Sequence, residues 1–451
     1  MKPQAPRPEP PGAFARAVMV LASGAVVAHG ITALSMPLLS RLYSPAHFGL
    51  LAVFAGCLAV LSVAACLRYE LAIALPESDS QAQELVVLSL ACCVGTSLLL
   101  ALVVTLAPDW FVARLGQPAL APYLWLFPLG LLAAGAFATM QAWSVRRKAF
   151  GLLARSRVAQ SACGAGTQLA FGATTGHPVG LLLGNVLNAG VGSLVMGRAA
   201  WSAWRATPLQ RLWPQAKAYR RFPLYSTAEA LANSAAIQLP VILIAAQVAP
   251  AEAGQLTMAM FAAQAPLSLI GTAISQAYLS RAPESLRQGQ LGAFSVQVLG
   301  HLVRAGAGPL LAVGILAPLL FPLVFGAQWQ RAGHLLSWMT PWFLLQFLAV
   351  PLSMALHVCS RQRAALMLQL GGLALRVGLV LLCLHWAQAW TAEVYALSGG
   401  VFYLAYLLVI LWAVGASGGS ALREMLAQAR PVAAWVGGAV LVAGAGRLVN
   451  A

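Results

Sequence analysis

Arg376 stands in the middle of an apolar run near residues 364–386, at a depth where water is not expected to reach a guanidinium. An Arg at the centre of a membrane helix costs about 2.5–3.5 kcal/mol on insertion scales, so such a residue normally faces a cavity or a partner. Glu229 lies in the first third of another apolar run, near 223–248, and Asn233 follows one helical turn later on the same face. His29 has Thr32 beneath it in the first run, while Arg155, Arg157, His301 and Arg304 fall within the first two or so turns of theirs. Arg68, in the short connector after the second run, completes a candidate substrate-binding set of Arg376, Glu229, Asn233, His29, Arg68, Arg155 and Arg304. Cations dominate it and Glu229 is the one clear intramembrane carboxylate, so a cavity lined by these groups would attract an anion such as a diphosphate. Plainer roles compete. Arg155, Arg157 and Arg304 are placed to snorkel to headgroups, His29 to pack, and Arg376 and Glu229 to pair structurally.

Other chemistry finds no support. The seven cysteines, Cys57, Cys66, Cys92, Cys93, Cys163, Cys359 and Cys383, are odd in number, lack metal-ligand spacing and mostly fall inside apolar runs. No Gly-rich phosphate loop, zinc spacing or nucleophilic triad is found, and neither a catalytic residue, a metal nor a cofactor is expected.

The elements that must position these residues are membrane helices. Of 451 residues, 60% are hydrophobic and 8% charged, and the mean hydropathy is +0.79, whereas a soluble domain carries about 25% charged residues. Apolar runs long enough to cross a bilayer core of about 30 Å recur from Phe14 to Val414, without the dyad alternation of a transmembrane barrel. Hydrophobicity with Gly, Pro and charge breaks predicts twelve helices, near 14–40, 47–67, 84–107, 121–143, 151–172, 178–197, 223–248, 253–279, 296–319, 334–356, 364–386 and 392–414. The first is too long for a signal-peptide core and is read as an uncleaved helix. A shorter run at 432–446 is a thirteenth span or a re-entrant segment. Pro37, Pro240, Pro266, Pro341 and Pro351 fall in or at the ends of helices and permit kinks.

A net charge of +16 would suggest nucleic acid in a soluble protein, but here the basic residues occupy connectors, so no nucleic-acid partner is expected. The connectors alternate. One side collects Lys2, Arg7, Arg16, Arg68, Arg146, Arg147, Lys148, the linker with Arg198, Arg205, Arg211, Lys217, Arg220 and Arg221, then Arg281, Arg287, Arg361, Arg363, Arg423 and Arg430. The other holds Arg41, Arg114, Arg331 and, if the last segment spans, Arg447. The positive-inside rule makes the first side cytoplasmic, with both ends of the twelve-helix core there.

The linker divides the chain into a 1–13 tail, a 14–197 six-helix bundle, the 198–222 basic linker, a 223–414 six-helix bundle and a 415–451 segment. The halves share sequence. Pro45-Ala46-x-x-Gly49 recurs as Pro250-Ala251-x-x-Gly254, and the basic turn Arg147-Lys148-Ala149 has a counterpart in Arg361-Gln362-Arg363-Ala364. Corresponding loops lie on one side, so the repeat is parallel, about a pseudo-two-fold axis normal to the membrane. Matches this short also arise by chance in a Pro-, Ala- and Gly-rich chain. Two facing bundles would enclose a central cavity that opens alternately as one rocks against the other.

Several stretches resemble Wzx-type flippases of the multidrug/oligosaccharidyl-lipid/polysaccharide exporter superfamily. They are Arg41-Leu-Tyr-Ser-Pro45 with Phe48-Gly49, Arg68-Tyr-Glu70-Leu-Ala-Ile-Ala-Leu-Pro76, Phe222-Pro-Leu-Tyr-Ser226 with Asn233 and Gln238-Leu-Pro240, Pro266-Leu-Ser-Leu-Ile-Gly271, Phe325-Gly326 with Trp329, and Ser360-Arg-Gln-Arg363. The resemblance spans about Arg16 to Val414. It implies an all-α protein of the bacterial inner membrane that moves an undecaprenyl-diphosphate-linked oligosaccharide from the cytoplasmic to the periplasmic leaflet for surface polysaccharide such as O-antigen. Membrane lipids, a proton or sodium coupling ion and a polysaccharide polymerase are the further partners it implies, although no coupling motif is found. Glu229 and the segment after Val414 depart from the family pattern. Two alternatives stand beside it: a cation-coupled multidrug antiporter of the same fold, which would need more membrane carboxylates, and a membrane-bound polymerase or glycosyltransferase, whose site would need a larger extramembrane loop.

Overall fold

The computed structural model describes residues 13–206, 211–359 and 361–450, and among them there is no β-strand. The first half is built from α1 (Ala13–Leu42), α2 (Pro45–Ala65), the one-turn α3 (Tyr69–Ala72), α4 (Asp79–Leu106), α5 (Pro108–Leu115), α6 (Leu126–Arg146), α7 (Phe150–Thr174) and α8 (Val179–Ala206). The short α9 (Leu212–Ala218) belongs to the linker. The second half contains α10 (Thr227–Gln247), α11 (Pro250–Arg287), α12 (Leu291–Leu302), α13 (Gly308–Phe325), α14 (Gln330–Ala349), the one-turn α15 (Ala355–Val358), α16 (Gln362–Trp386) and α17 (Thr391–Ala413). The chain closes with α18 (Gly418–Ala427) and α19 (Ala429–Asn450).

Each of the twelve predicted runs is helical. By length and apolarity, ten spans among the described residues can cross a membrane, with α12 and α13 counted as one span from Leu291 to Phe325. Two predicted runs lie outside these ten: α7, 25 residues long, carries Arg155, Arg157, Gln160 and Gln168, and α11, 38 residues long, has several side chains outside the described residues. Polar spans of this kind are tolerated where they face protein or water rather than lipid. The 432–446 run lies within a 22-residue helix, α19, bent by 56° from α18, and together they make an eleventh span or a re-entrant pair.

By packing, the chain falls into two compact units. One comprises Met1–Ser35, Leu58–Phe111 and Pro122–Leu231, the other Met36–Cys57, Val112–Ala121 and Ala232–Ala451. In the first, Gly164 of α7 meets Gly184 and Asn188 of α8, and Gly190 of α8 meets Ala133 of α6. Lipid supplies no hydrophobic drive between helices, so close approach at small residues holds them. The second unit follows the same rule, with Gly314 of α13 against Thr340 of α14, Gly308 against the Trp435 ring of α19, and Gly399 of α17 against Trp342. Leu98, Leu99, Leu102 and Leu106 of α4 and Val401, Leu404, Leu408 and Trp412 of α17 remain exposed, as lipid-facing surfaces should.

Candidate functional site

Arg376 of α16 is 6% exposed, and aromatic rings surround it. Its Cζ lies 4.4 Å from the ring centroid of Phe402, 5.3 Å from that of Trp342 and 5.6 Å from that of Tyr403. Glycines let the rings settle: a Cβ at Gly372 would overlap Phe402, and one at Gly399 would overlap Trp342. Ring faces attract a cation by about 2 kcal/mol or more when it is desolvated, which offsets part of the lost hydration. Nε and Nη2 of Arg376 and Nε1 of Trp342 have no hydrogen-bond partner, and Arg376 forms no ion pair among the described residues. The sequence placed a cation here and left cavity and partner open. The structure surrounds it with π faces instead, whose signal was the Phe402-Tyr403-x-x-Tyr406 run.

The remaining predicted residues are dispersed. His29 on α1 and Asn233 on α10 are exposed, and Arg304 is exposed on a π-helical turn, Val303–Ala307, between α12 and α13. Arg155 is exposed and lines a cavity of about 530 Å³ between α1 and α7, with Ser23, Gly24, Val27 and Ala154. The side chain of Glu229 lies outside the described residues.

Arg68 sits in a left-handed elbow, with Leu67 at φ 49° and Arg68 at φ 63°, ahead of α3. Non-glycine residues in this region cost of order 1–3 kcal/mol unless their surroundings hold them. Here Tyr69, Ile73, Leu85, Trp143 and Met196 form a buried cluster around the elbow, and the Tyr69 hydroxyl donates to Ala216 O of α9 at 3.2 Å. Arg68 Nη1 lies 3.6 Å from Glu70 Oε1, yet Arg68 Nε and Glu70 Oε2 have no hydrogen-bond partner. Burial pushes the Glu70 carboxyl above its ordinary range, more than its own backbone and Arg68 pull it back. A raised folded value means that folding favours the proton, so the contribution is most favourable at low pH and is lost as pH rises through the folded value. Glu70→Gln is therefore expected to raise the melting temperature of the detergent-solubilised protein at pH 8, and the difference should close as pH falls towards 4.

The end with few basic residues is held by groups that sequence reasoning missed. At the head of α14, Arg331 reaches two carboxylates: Nη1 lies 2.6 Å from Glu393 Oε1 at the start of α17, and Nη2 2.8 Å from Glu252 Oε1 at the start of α11. Gln255 ties the same helices, accepting from Ala332 N at 2.9 Å and donating to Gln328 O at 2.6 Å. Beside it, the two copies of the Pro-Ala-x-x-Gly motif pack against each other. A Cβ on Gly49 would overlap Pro250 O, and one on Gly254 would overlap Pro45 O. The contact is reciprocal, each motif's glycine meeting the other motif's proline carbonyl. A second reciprocal pair extends it: Gln328 Nε2 donates to Ser40 O at the end of α1, and Gln117 Nε2 donates to Ala245 O near the end of α10. Ser40 and Ala245 are separated by the same 205 positions as Pro45 and Pro250. Trp329 Nε1 adds a donor to Ser40 O at 2.9 Å.

A family model described as polysaccharide biosynthesis protein matches residues 38–333, well over half of the chain. The chain belongs to this family. The family stretch takes in the Arg68 elbow, both Pro-Ala-x-x-Gly motifs and Arg331, and it stops before Arg376 and its aromatic shell. No curated protein sequence matches the chain. Solved structures with a similar fold include the lipid II flippase MurJ in an inward closed conformation, at 11% identity over 97% of each chain with a TM-score of 0.66. An inward-facing multidrug resistance MATE family transporter of the MOP superfamily aligns at 15% identity over 87% of this chain and 94% of its own, with a TM-score of 0.56. A MOP superfamily transporter from Pyrococcus furiosus, described as having a binding pocket of reverse polarity, aligns at 16% identity over 89% and 97%, with a TM-score of 0.51. At such identities the likeness is one of fold, and it makes this family member an all-helical, multi-pass membrane protein.

Proposed function

We propose that the protein is a flippase that carries an undecaprenyl-diphosphate-linked oligosaccharide from the cytoplasmic to the periplasmic leaflet of the bacterial inner membrane by alternating access. The observation that carries this reading is membership of the polysaccharide biosynthesis family in a chain whose fold is like that of a lipid II flippase. No bond need be made or broken: transport requires a polar path for sugar and diphosphate, an apolar flank for the polyprenyl tail, and gates that open in turn. The polar α7 suits the path, and the reciprocal Gly49–Gly254 crossing suits a gate on the side poor in Lys and Arg. On this reading the N-terminus is cytoplasmic, the six-helix halves 14–197 and 223–414 are the moving bodies, and a proton or sodium gradient and a polysaccharide polymerase are the candidate driver and partner. The antiporter reading is weaker, because Glu252 and Glu393 already share Arg331.

In this scheme Arg376, Arg68, Arg155 and Arg304 are candidates to meet the anionic diphosphate at different stages of transport, and His29, Asn233 and Glu229 to meet the sugar. Leaflet exchange of an undecaprenyl-diphosphate oligosaccharide, measured in liposomes, tests the reading, and absence of wild-type exchange under proton and sodium gradients would refute it. Arg376→Met is expected to fold as stably as wild type or more so, since an apolar group of similar volume often replaces a buried charge at no cost. If the guanidinium serves the anion, exchange should drop while the melting temperature holds.

A further inference from the structure

Between α11 and α14 lies a cavity of about 260 Å³, and among the described residues that line it none is charged. Gln264 and Ser275 of α11 and Gln346 of α14 present amide and hydroxyl groups to it, and Leu267 and Phe347 supply apolar wall. Gln346 Oε1 is buried without a hydrogen-bond partner, so the cavity holds an acceptor awaiting a donor. The Ser275 hydroxyl donates to Gly271 O at 2.8 Å, which orients its lone pairs for an incoming donor. Gly271 forms part of the wall, and a Cβ built there meets nothing within 4 Å, so the glycine leaves room that packing does not require. The cavity is smaller than the roughly 300–1,000 Å³ typical of drug-sized ligands, which suits one sugar ring rather than a whole oligosaccharide.

We propose that this cavity is a subsite for one uncharged sugar ring of the transported glycan, a reading that rests on the flippase assignment. Two amides offer both donors and acceptors to sugar hydroxyls and the Ser275 hydroxyl offers an acceptor, while the apolar faces of Leu267 and Phe347 cover the ring C–H groups. A diphosphate would demand cations, which the described lining lacks, and a purely apolar tail would leave Gln346 unsatisfied.

The test uses the full chain in liposomes with Gly271→Leu, whose Cβ meets no neighbour and whose longer side chain takes up cavity space, and Gly271→Ala as a fold control. The probes are the host's lipid-linked oligosaccharide for leaflet exchange, and the same oligosaccharide freed from its lipid by mild acid for direct binding. Gly271→Leu is expected to keep the wild-type melting temperature, to lower exchange at least tenfold and to abolish the thermal shift caused by the free oligosaccharide. Gly271→Ala should stay within about threefold of wild type in exchange. Wild-type exchange that Gly271→Leu leaves intact would overturn the subsite and spare the flippase reading. Absent wild-type exchange would overturn both. A Gly271→Leu protein that melts early would show that the space is needed for packing, and would also overturn the subsite.

Discussion

Arg331→Met is expected to destabilise the protein by about 3 kcal/mol. The variant strands two carboxylates at one point where three helices begin. Glu393 is 5% exposed, and its Oε2 already lacks a hydrogen-bond partner, so without the guanidinium it becomes an uncompensated charge. Removing one partner of a buried ion pair costs about 3–5 kcal/mol, and the partial exposure of Arg331 and Glu252 places this case at the lower end. Arg331→Lys should recover only part of the loss, because an ammonium cannot repeat the fork in which Nη1 serves Glu393 while Nε and Nη2 serve Glu252. Adding Glu252→Gln and Glu393→Gln to Arg331→Met should restore most of it, since the penalty lies in the unpaired charges and not in lost packing. Unfolding in detergent, read by near-ultraviolet circular dichroism, distinguishes these cases. Equal losses in the single and triple variants would mean that the cluster acts only through packing.

The same cluster shows where sequence reading succeeds and where it stops. Helical runs are legible because every backbone amide in lipid must be satisfied within its own segment, which forces long apolar stretches on the chain. That rule finds α1, α2, α4 and α17 with little ambiguity, and it also locates α7 despite its arginines and glutamines. Partners across helices are not legible. Glu252, Arg331 and Glu393 are separated by many tens of residues, and each sits at a helix end where a solvated charge is ordinary. Arg376 could be singled out from its depth alone, but its aromatic shell depends on Trp342 and Phe402, whose glycine neighbours Gly399 and Gly372 mean nothing until the helices are packed. The Arg68 elbow is similar: the motif is visible, whereas a left-handed arginine is a property of the folded backbone.

Gly49→Leu should abolish the close crossing of α2 and α11, because even its Cβ would coincide with the carbonyl of Pro250. Carbonyl oxygens at a helix start cannot rotate away as a side chain can, so the helices must part along their full contact. Overpacking of a tight site costs about 1–3 kcal/mol, and here it also separates Gln328 from Ser40 and Gln117 from Ala245. Gly254→Leu meets the carbonyl of Pro45 across the same crossing and is expected to have the same effect. The two substitutions should therefore be strongly non-additive: once the first has opened the crossing, the second has little left to displace. A cysteine introduced as Ala253→Cys, at a fully buried position beside Gly254, provides the readout in a background freed of native cysteines. It should resist a membrane-impermeant maleimide in the parent protein and react in either leucine variant, and leaflet exchange should fall because one gate no longer closes. Continued protection of that cysteine in Gly49→Leu, with exchange intact, would show that the crossing yields elsewhere and that the repeated glycines serve packing rather than gating.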